Sequence, residues 1–296
     1  MTGTRAAALF ILIYAVVIGF TDNFVRVIAD DVGLWQFHAM RTAMALALVG
    51  AYAALTGLRL RPLNPRAVAA RSLVHGVAML LYFAGLGFLP VPQVAAGLFT
   101  APIWVLLIAR FVYGQPIGPV RIAAVAIGFL GIVLMLRPGS QAPITLVALL
   151  PMAAGLFYAM GNIATREWCA GESAEVMTMG FFIAIGLFGL IGMAVLTLFP
   201  GWQADDFIRH GVAWPSARAL FWIFVQAAGS LFAVTMMVKG YQATEASRAA
   251  VLEYMLLPVS AAWSLALWHE VPSALALVGM GLIVAAGVLI VTRAPK

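Results

Sequence analysis

An all-α membrane protein, with ten transmembrane helices folded as two inverted five-helix repeats, is the fold the sequence predicts. Three observations carry that prediction: the apolar content, the way basic residues alternate between loops, and a weak internal repeat. Of the 296 residues 64% are apolar and only 9% charged, against about 25% charged in a typical soluble domain. A soluble chain of this length has too little interior to hide so much apolar surface, and the composition is too hydrophobic for disorder. The one cysteine excludes a disulfide framework and a cysteine-built metal site.

Apolar runs between polar breaks, each near the ~20 residues that cross a bilayer, place helices near 6–28, 34–57, 67–89, 92–113, 117–136, 143–166, 175–199, 217–240, 246–268 and 272–292. The first is read as a helix, because it is long for a signal-peptide core and lacks a small-residue cleavage pattern before Asp22. The breaks carry turn chemistry: Asp30-Asp31, Arg59 to Pro65, Pro90-Val91-Pro92, Gly114-Gln115-Pro116, Arg137-Pro138-Gly139, and the longest, Pro200 to Pro215. None is long enough to hold a soluble domain.

Ten spans put both termini on one side. Arg5, Arg59, Arg61, Arg66, Arg71, Arg110, Arg121, Arg166, Lys239, Arg248, Arg293 and Lys296 fall on that side, and Arg26, Arg137, Arg209 and Arg218 on the other. Arg41 lies within a span. The bias makes the terminal side cytoplasmic. The net charge of +6 is therefore a topology signal, and no nucleic-acid partner is inferred from it.

An offset of 156 superposes Pro102 on Pro258, Pro116 on Pro272, Gly131 on Gly287 and Arg137 on Arg293 without a gap. An offset of 139 pairs Asn23 with Asn162. The chain divides into repeats at 1–138 and 139–296. Five helices per repeat is odd, so the second copy starts from the opposite side of the bilayer, the inverted topology of secondary transporters.

These features resemble the drug/metabolite transporter superfamily: ten spans, five plus five, prolines in helices four and nine, and glycine-rich helices five and ten followed by Arg137-Pro138 and Arg293. Within it the chain is most similar to the EamA-type bacterial exporters. The family's acidic residue before the proline that opens helices five and ten is kept as Glu270, while Gly114-Gln115 takes its place in the first repeat. The resemblance implies a bacterial inner-membrane exporter of small amphipathic metabolites, aromatic amino acids first. A nucleotide-sugar or sugar-phosphate carrier would share the fold, and would want paired basic residues at mid-depth. A membrane-embedded enzyme or a channel is the more distant alternative.

The residues themselves suggest where a substrate would sit. Glu253 lies about eight residues into helix nine, where a charge costs about 2.5–3.5 kcal/mol on insertion scales. It would bind an ammonium, carry a proton, pair with Arg41 or His75, or serve as a neutral packing carboxyl. His75, Met79 and Tyr82 share one face of helix three at i, i+4 and i+7, and Leu86 continues it. Trp104, at mid-depth one turn from Thr100, would stack on an aromatic ring or meet a cation. Gln226 and Ser230 share a face of helix eight. Asn23 and Asn162 would line the site or bond between helices, and Arg41, near His38, would meet a carboxylate or snorkel outward. Pro102 and Pro258 would release the carbonyls of Leu98 and Tyr254, as ammonium ligands, hinges or static kinks.

Trp35, Trp202, Trp214 and Trp268 sit at span ends, where indoles belt the interface. Gly128, Gly131, Gly186, Gly189, Gly192, Gly279, Gly281 and Gly287 allow close helix approach, within a monomer or a homodimer. No P-loop, nucleophile elbow, heptad or metal cluster is present in the sequence. No catalytic residue, metal or cofactor is assigned, and ATP-driven transport is excluded within this chain.

Overall fold

A computed structural model describes residues 3–58, 60–86, 91–136 and 149–293. The predicted breaks at Pro90 and Arg137-Pro138-Gly139, the division at 138/139, and Arg59 and Lys296 lie outside the described residues, as does the side chain of Leu86.

The described residues form helices and no strand. In chain order these are α1 (Gly3–Asp22), α2 (Val25–Ala29), α3 (Leu34–Thr56), α4 (Pro65–Leu86), α5 (Val91–Leu98), α6 (Ala101–Phe111), α7 (Pro119–Leu136), α8 (Leu149–Glu167), α9 (Ala174–Leu198), α10 (Ala217–Ala243), α11 (Ala246–Glu253), α12 (Leu256–Trp268) and α13 (Ala274–Thr292). Three predicted spans are broken helices: α1–α2, α5–α6 and α11–α12. Seven segments are long and apolar enough to cross a membrane: Gly3–Ala29, Leu34–Thr56, Pro65–Gly85, Ala174–Leu198, Ala217–Ala243, Ala246–Trp268 and Ala274–Thr292. The other three predicted spans correspond to α5–α6, α7 and α8, which fall short in length or apolarity.

Local chemistry sets the helix ends. Ser173, Ser216 and Ser273 cap α9, α10 and α13, each hydroxyl accepting the N–H three residues on, at 3.2, 3.1 and 3.2 Å. Gly57 ends α3 at φ +70°, the left-handed region that only glycine adopts at no steric cost. Glu270, ahead of the proline that precedes α13, accepts from Ser264 and from Arg26 at 2.9 Å. Those bonds hold its carboxyl below the ordinary carboxylate range. Arg26 also lies over the Trp268 ring, 3.6 Å from its centroid.

The helices pack in a fixed set of pairs. α13 lies on α7, α3 on α9, α1 on α10 and on α11–α12, α4 on α8 and α9, α5–α6 on α8, and α10 on α3. Small residues seat these pairs. A β-carbon on Gly131 would fall 2.6 Å from the Gly279 carbonyl, so α7 and α13 touch backbone to backbone. On α9, Gly189 accommodates the Trp35 carbonyl of α3 in the same way, at 2.7 Å. Large apolar side chains point outward, among them Leu9 and Leu12 of α1, Leu187 and Leu190 of α9, and Leu277 and Val288 of α13. Polar residues such as Asn162, Thr178, Gln226 and Ser230 are buried. This inside-out arrangement suits a lipid solvent. Trp202 and Trp214 are strongly exposed at the ends of spans, whereas Trp35 packs over Gly192.

The Gly131–Gly279 contact predicts a sharp contrast. Gly131→Val should destabilise by about 1–3 kcal/mol through overpacking. Gly281→Val, on the same α13 but with open space around its β-carbon, should leave the melting temperature in detergent unchanged.

Candidate functional site

The middle of the bundle encloses a cavity of about 200 Å³. Its wall draws on α1, α3, α4, α5–α6, α8, α9, α10 and α11–α12, so both halves of the chain contribute. The three helix breaks lie beside it: Asp22 ends α1, Leu98 ends α5 and Glu253 ends α11, and all three residues are on the wall.

One face of α4 forms a long side of the cavity. Arg71, His75, Met79 and Tyr82 all line it, spaced at i, i+4, i+8 and i+11. At 1.5 Å per residue this stripe is about 16 Å long. The sequence places three of the four together. It sets Arg71 among the basic residues of a loop, and the structure corrects this. Arg71 is fully buried, its Nε donating to Thr165 Oγ1 at 3.0 Å and its Nη1 to the Met177 carbonyl at 3.1 Å. The signal was available, since Arg71 stands one helical turn before His75 on the same stripe.

Glu253 is 5% exposed, and neutral donors hold its carboxylate. Tyr158 Oη donates to Oε1 at 2.8 Å, Asn162 Nδ2 to Oε2 at 3.3 Å, and Tyr241 Oη also to Oε2. Asn162 donates in turn to Tyr241 Oη at 2.8 Å. Among the described residues no cation lies within 4 Å of Glu253. Pairing with Arg41 or His75, one of the roles open to it from sequence, does not occur. Asn162 therefore supports the carboxylate from behind and is not itself on the wall. The two tyrosines were not anticipated.

At the other end, Asp22 lies on the wall with its side chain open to the cavity. Gln226 donates to its Oδ1 at 2.7 Å. Gln226 is thus a holder of Asp22, while its helical neighbour Ser230 reaches the wall. Arg41 is buried on the wall with its Nε unpartnered, between the rings of Phe37 and Phe182 at 5.1 and 5.4 Å. It does not snorkel.

Three other expected residues fall elsewhere. Trp104 is off the wall: its indole N–H donates to Thr100 Oγ1 at 3.2 Å and its ring packs on the core. Asn23 ties α1 to α12, donating to the Gly19 and Ser260 carbonyls at 2.6 and 3.4 Å. Pro102 is on the wall and Pro258 is not. Nor is the Tyr254 carbonyl released, for it accepts from Leu257 N–H at 3.1 Å; the Leu98 carbonyl is covered by Gly155 of α8. Among the described residues no group of three or more His, Cys, Asp or Glu is placed to hold a metal.

A small chamber with apolar and charged walls thus lies at the centre of an apolar helical bundle. Residues 5–137 match the EamA-like transporter family. A riboflavin transporter from Rhizobium johnstonii is 33% identical over 121 residues, 39% of this chain and 40% of that protein. An S-adenosylmethionine uptake transporter from Rickettsia prowazekii is 24% identical over 76% of this chain and 74% of its own length. A pseudopaline exporter from Pseudomonas aeruginosa is 22% identical over 73% and 71%. A solved crystal structure superposes with a TM-score of 0.80 over 99% of both chains at 18% identity, a likeness of fold alone. The matching family and these three relatives are named as transporters, and the chain spans about 40% of the length of the riboflavin transporter and about three quarters of the other two. Their substrates range over riboflavin, S-adenosylmethionine and pseudopaline, and none is named as an aromatic amino acid exporter.

The Glu253 cage makes a direct prediction. Removing the Tyr158 hydroxyl by Tyr158→Phe deletes a hydrogen bond to a charged group and should cost about 1.5–3 kcal/mol. The melting temperature of purified protein reads it, and an unchanged value would show that the phenol does not hold the carboxylate.

Proposed function

We propose that the protein is a secondary transporter that carries small amphipathic zwitterions, with aromatic amino acids the first class to test, outward across the bacterial inner membrane by alternating access. One observation carries the reading. The cavity wall holds two acids, Asp22 and Glu253, and two arginines, Arg41 and Arg71, and among the described residues none of the four pairs with another. Side chains of Met79, Tyr82, Phe83, Phe99 and Phe181 line the same space. Such a chamber complements a molecule that has both charges and an apolar or aromatic body. Glu253 meets the ammonium, and an arginine meets the carboxylate.

The two-repeat architecture with ten spans and cytoplasmic termini belongs to this proposal. Its support is the packing pattern. With the predicted spans numbered one to ten, five lies on ten and two on seven. One lies on eight as three does on six, one on nine as four on six, and three on seven as two on eight. Exchanging each span with the one five places away maps these contacts onto one another, while the contacts of α10 with α8 and α9 have no such counterpart among the described residues. The breaks at Phe99–Thr100 and Tyr254–Met255 fall at nearly corresponding positions, each just ahead of its proline. Pro102 and Pro258 are then the hinges that let the halves rock.

A second reading has one specific support. A carrier of nucleotide sugars or other phosphate-bearing metabolites wants paired basic residues, and Arg41 and Arg71 both reach the wall. The two acids on the same wall disfavour so strongly anionic a cargo.

Flux of labelled phenylalanine, tyrosine and tryptophan, beside riboflavin, S-adenosylmethionine and a nucleotide sugar, in proteoliposomes with and without a proton gradient decides between them. Glu253→Gln should lower flux of the aromatic amino acids at least about ten-fold, as expected when one partner of a buried charge contact is lost, while Trp104→Ala should change it little. Full flux through Glu253→Gln would sink the proposed pocket.

A further inference from the structure

We infer that Arg71, with His75 one turn along α4, forms an oxyanion subsite that takes the carboxylate of the transported molecule. The inference rests on the zwitterion reading and adds to it the anchor that selects for the acid group.

Arg71 is 0% exposed. Two of its three guanidinium nitrogens are fixed, Nε on Thr165 Oγ1 and Nη1 on the Met177 carbonyl. Both acceptors are neutral. The third, Nη2, is buried without a hydrogen-bond partner, and Arg71 is on the cavity wall. Among the described residues no carboxylate lies within 4 Å of it. Some basic residues elsewhere do meet acids: Arg121 and Arg248 meet Glu245, and Lys239 meets Glu175 at 3.0 Å. A buried guanidinium left unpaired is strongly unfavourable, and this one belongs to a residue of the chamber wall.

His75 has the same character. It is 2% exposed, both ring nitrogens lack partners, and its ring stands edge-on to Tyr158 at 4.9 Å. Tyr158 gives its hydroxyl hydrogen to Glu253. A neutral phenol therefore links the surroundings of Arg71 and His75 to those of Glu253, and the two charges do not quench one another. Arg41 is less suited to the task, because it lies between the Phe37 and Phe182 rings, where cation–π attraction already offsets part of its charge. The free Nη2 edge of Arg71 is a planar donor, pre-oriented by its two fixed neighbours, of the kind that matches a carboxylate.

The test uses the purified full chain, with melting temperature read against acetate, inorganic phosphate and chloride at equal ionic strength, and with binding of L-phenylalanine compared with phenethylamine, which lacks the carboxylate. Wild type should be stabilised saturably by acetate and should bind phenylalanine at least about ten-fold more tightly than phenethylamine. Arg71→Gln should abolish the acetate effect and that preference while leaving phenethylamine binding as it was. Should Arg71→Gln fail to fold, Arg71→Lys, which keeps the cation but loses the fork, should weaken the acetate effect several-fold.

Absence of acetate stabilisation in wild type, or its persistence in a folded Arg71 variant, overturns the inference. A saturable preference for phosphate over acetate overturns the carboxylate assignment. An Arg71-dependent acetate effect with no amino acid flux would leave the subsite standing and remove the amino acid reading. Flux of phenylalanine with unchanged KM in Arg71→Gln would do the reverse.

Discussion

A charge inside an apolar bundle must be solvated by fixed dipoles or by an opposite charge, and the bundle interior is organised around that requirement. Two acids and two arginines, Asp22, Glu253, Arg41 and Arg71, line one central chamber. Each has its own supports, although Arg41 Nε and Arg71 Nη2 keep no hydrogen-bond partner. Two phenols and an amide surround Glu253, a hydroxyl and a carbonyl hold Arg71, an amide holds Asp22, and two aromatic rings flank Arg41. Apart from Phe37, on α3 itself, those supports come from α8, α9 and α10, so the positions of these helices against α1, α3, α4 and α11 follow from where the charges need donors and acceptors. Pairing the charges with each other would have filled the chamber and left nothing for a substrate to bind. Holding them apart keeps donors and acceptors pre-oriented toward the space.

Backbone polarity imposes the second constraint. Helices break beside the chamber at three places, and every break must rebuild its hydrogen bonds without water from outside. Thr100 Oγ1 donates to the Gly97 carbonyl at 2.7 Å, Asn23 to the Gly19 carbonyl, and Leu257 N–H to the Tyr254 carbonyl at 3.1 Å. The breaks are therefore built structures, locally satisfied, at the points where the chain turns polar side chains toward the cavity. Close backbone contacts at Gly131 and Gly279 hold α7 and α13 against one another outside this region.

Much of the site was readable. The stripe of His75, Met79 and Tyr82 obeys helical spacing, so the three share one face of α4. Glu253 stood out because a carboxylate inside a span has a known cost. What was not readable were partners distant in the chain. Tyr158 and Tyr241 meet Glu253 from 95 and 12 positions away, and a tyrosine in an apolar run carries no mark of what its hydroxyl touches. Arg71 and Asp22 sit near span ends, where a charge ordinarily reaches water, and only the neighbouring helices show that these two face inward. Trp104 erred in the opposite sense: mid-depth position suggested a cavity, while Thr100 one turn earlier supplied the partner its indole needed.

The sequence by itself determined that this is a bundle of apolar helices, roughly where each begins and ends, and which residues share a face, because apolar run length, turn residues and the 3.6-residue period are local quantities. The tertiary structure alone decided which charges share a chamber and which are kept unpaired, since that depends on how helices far apart in the chain cross and on the few ångströms that separate a hydrogen bond from an open valence.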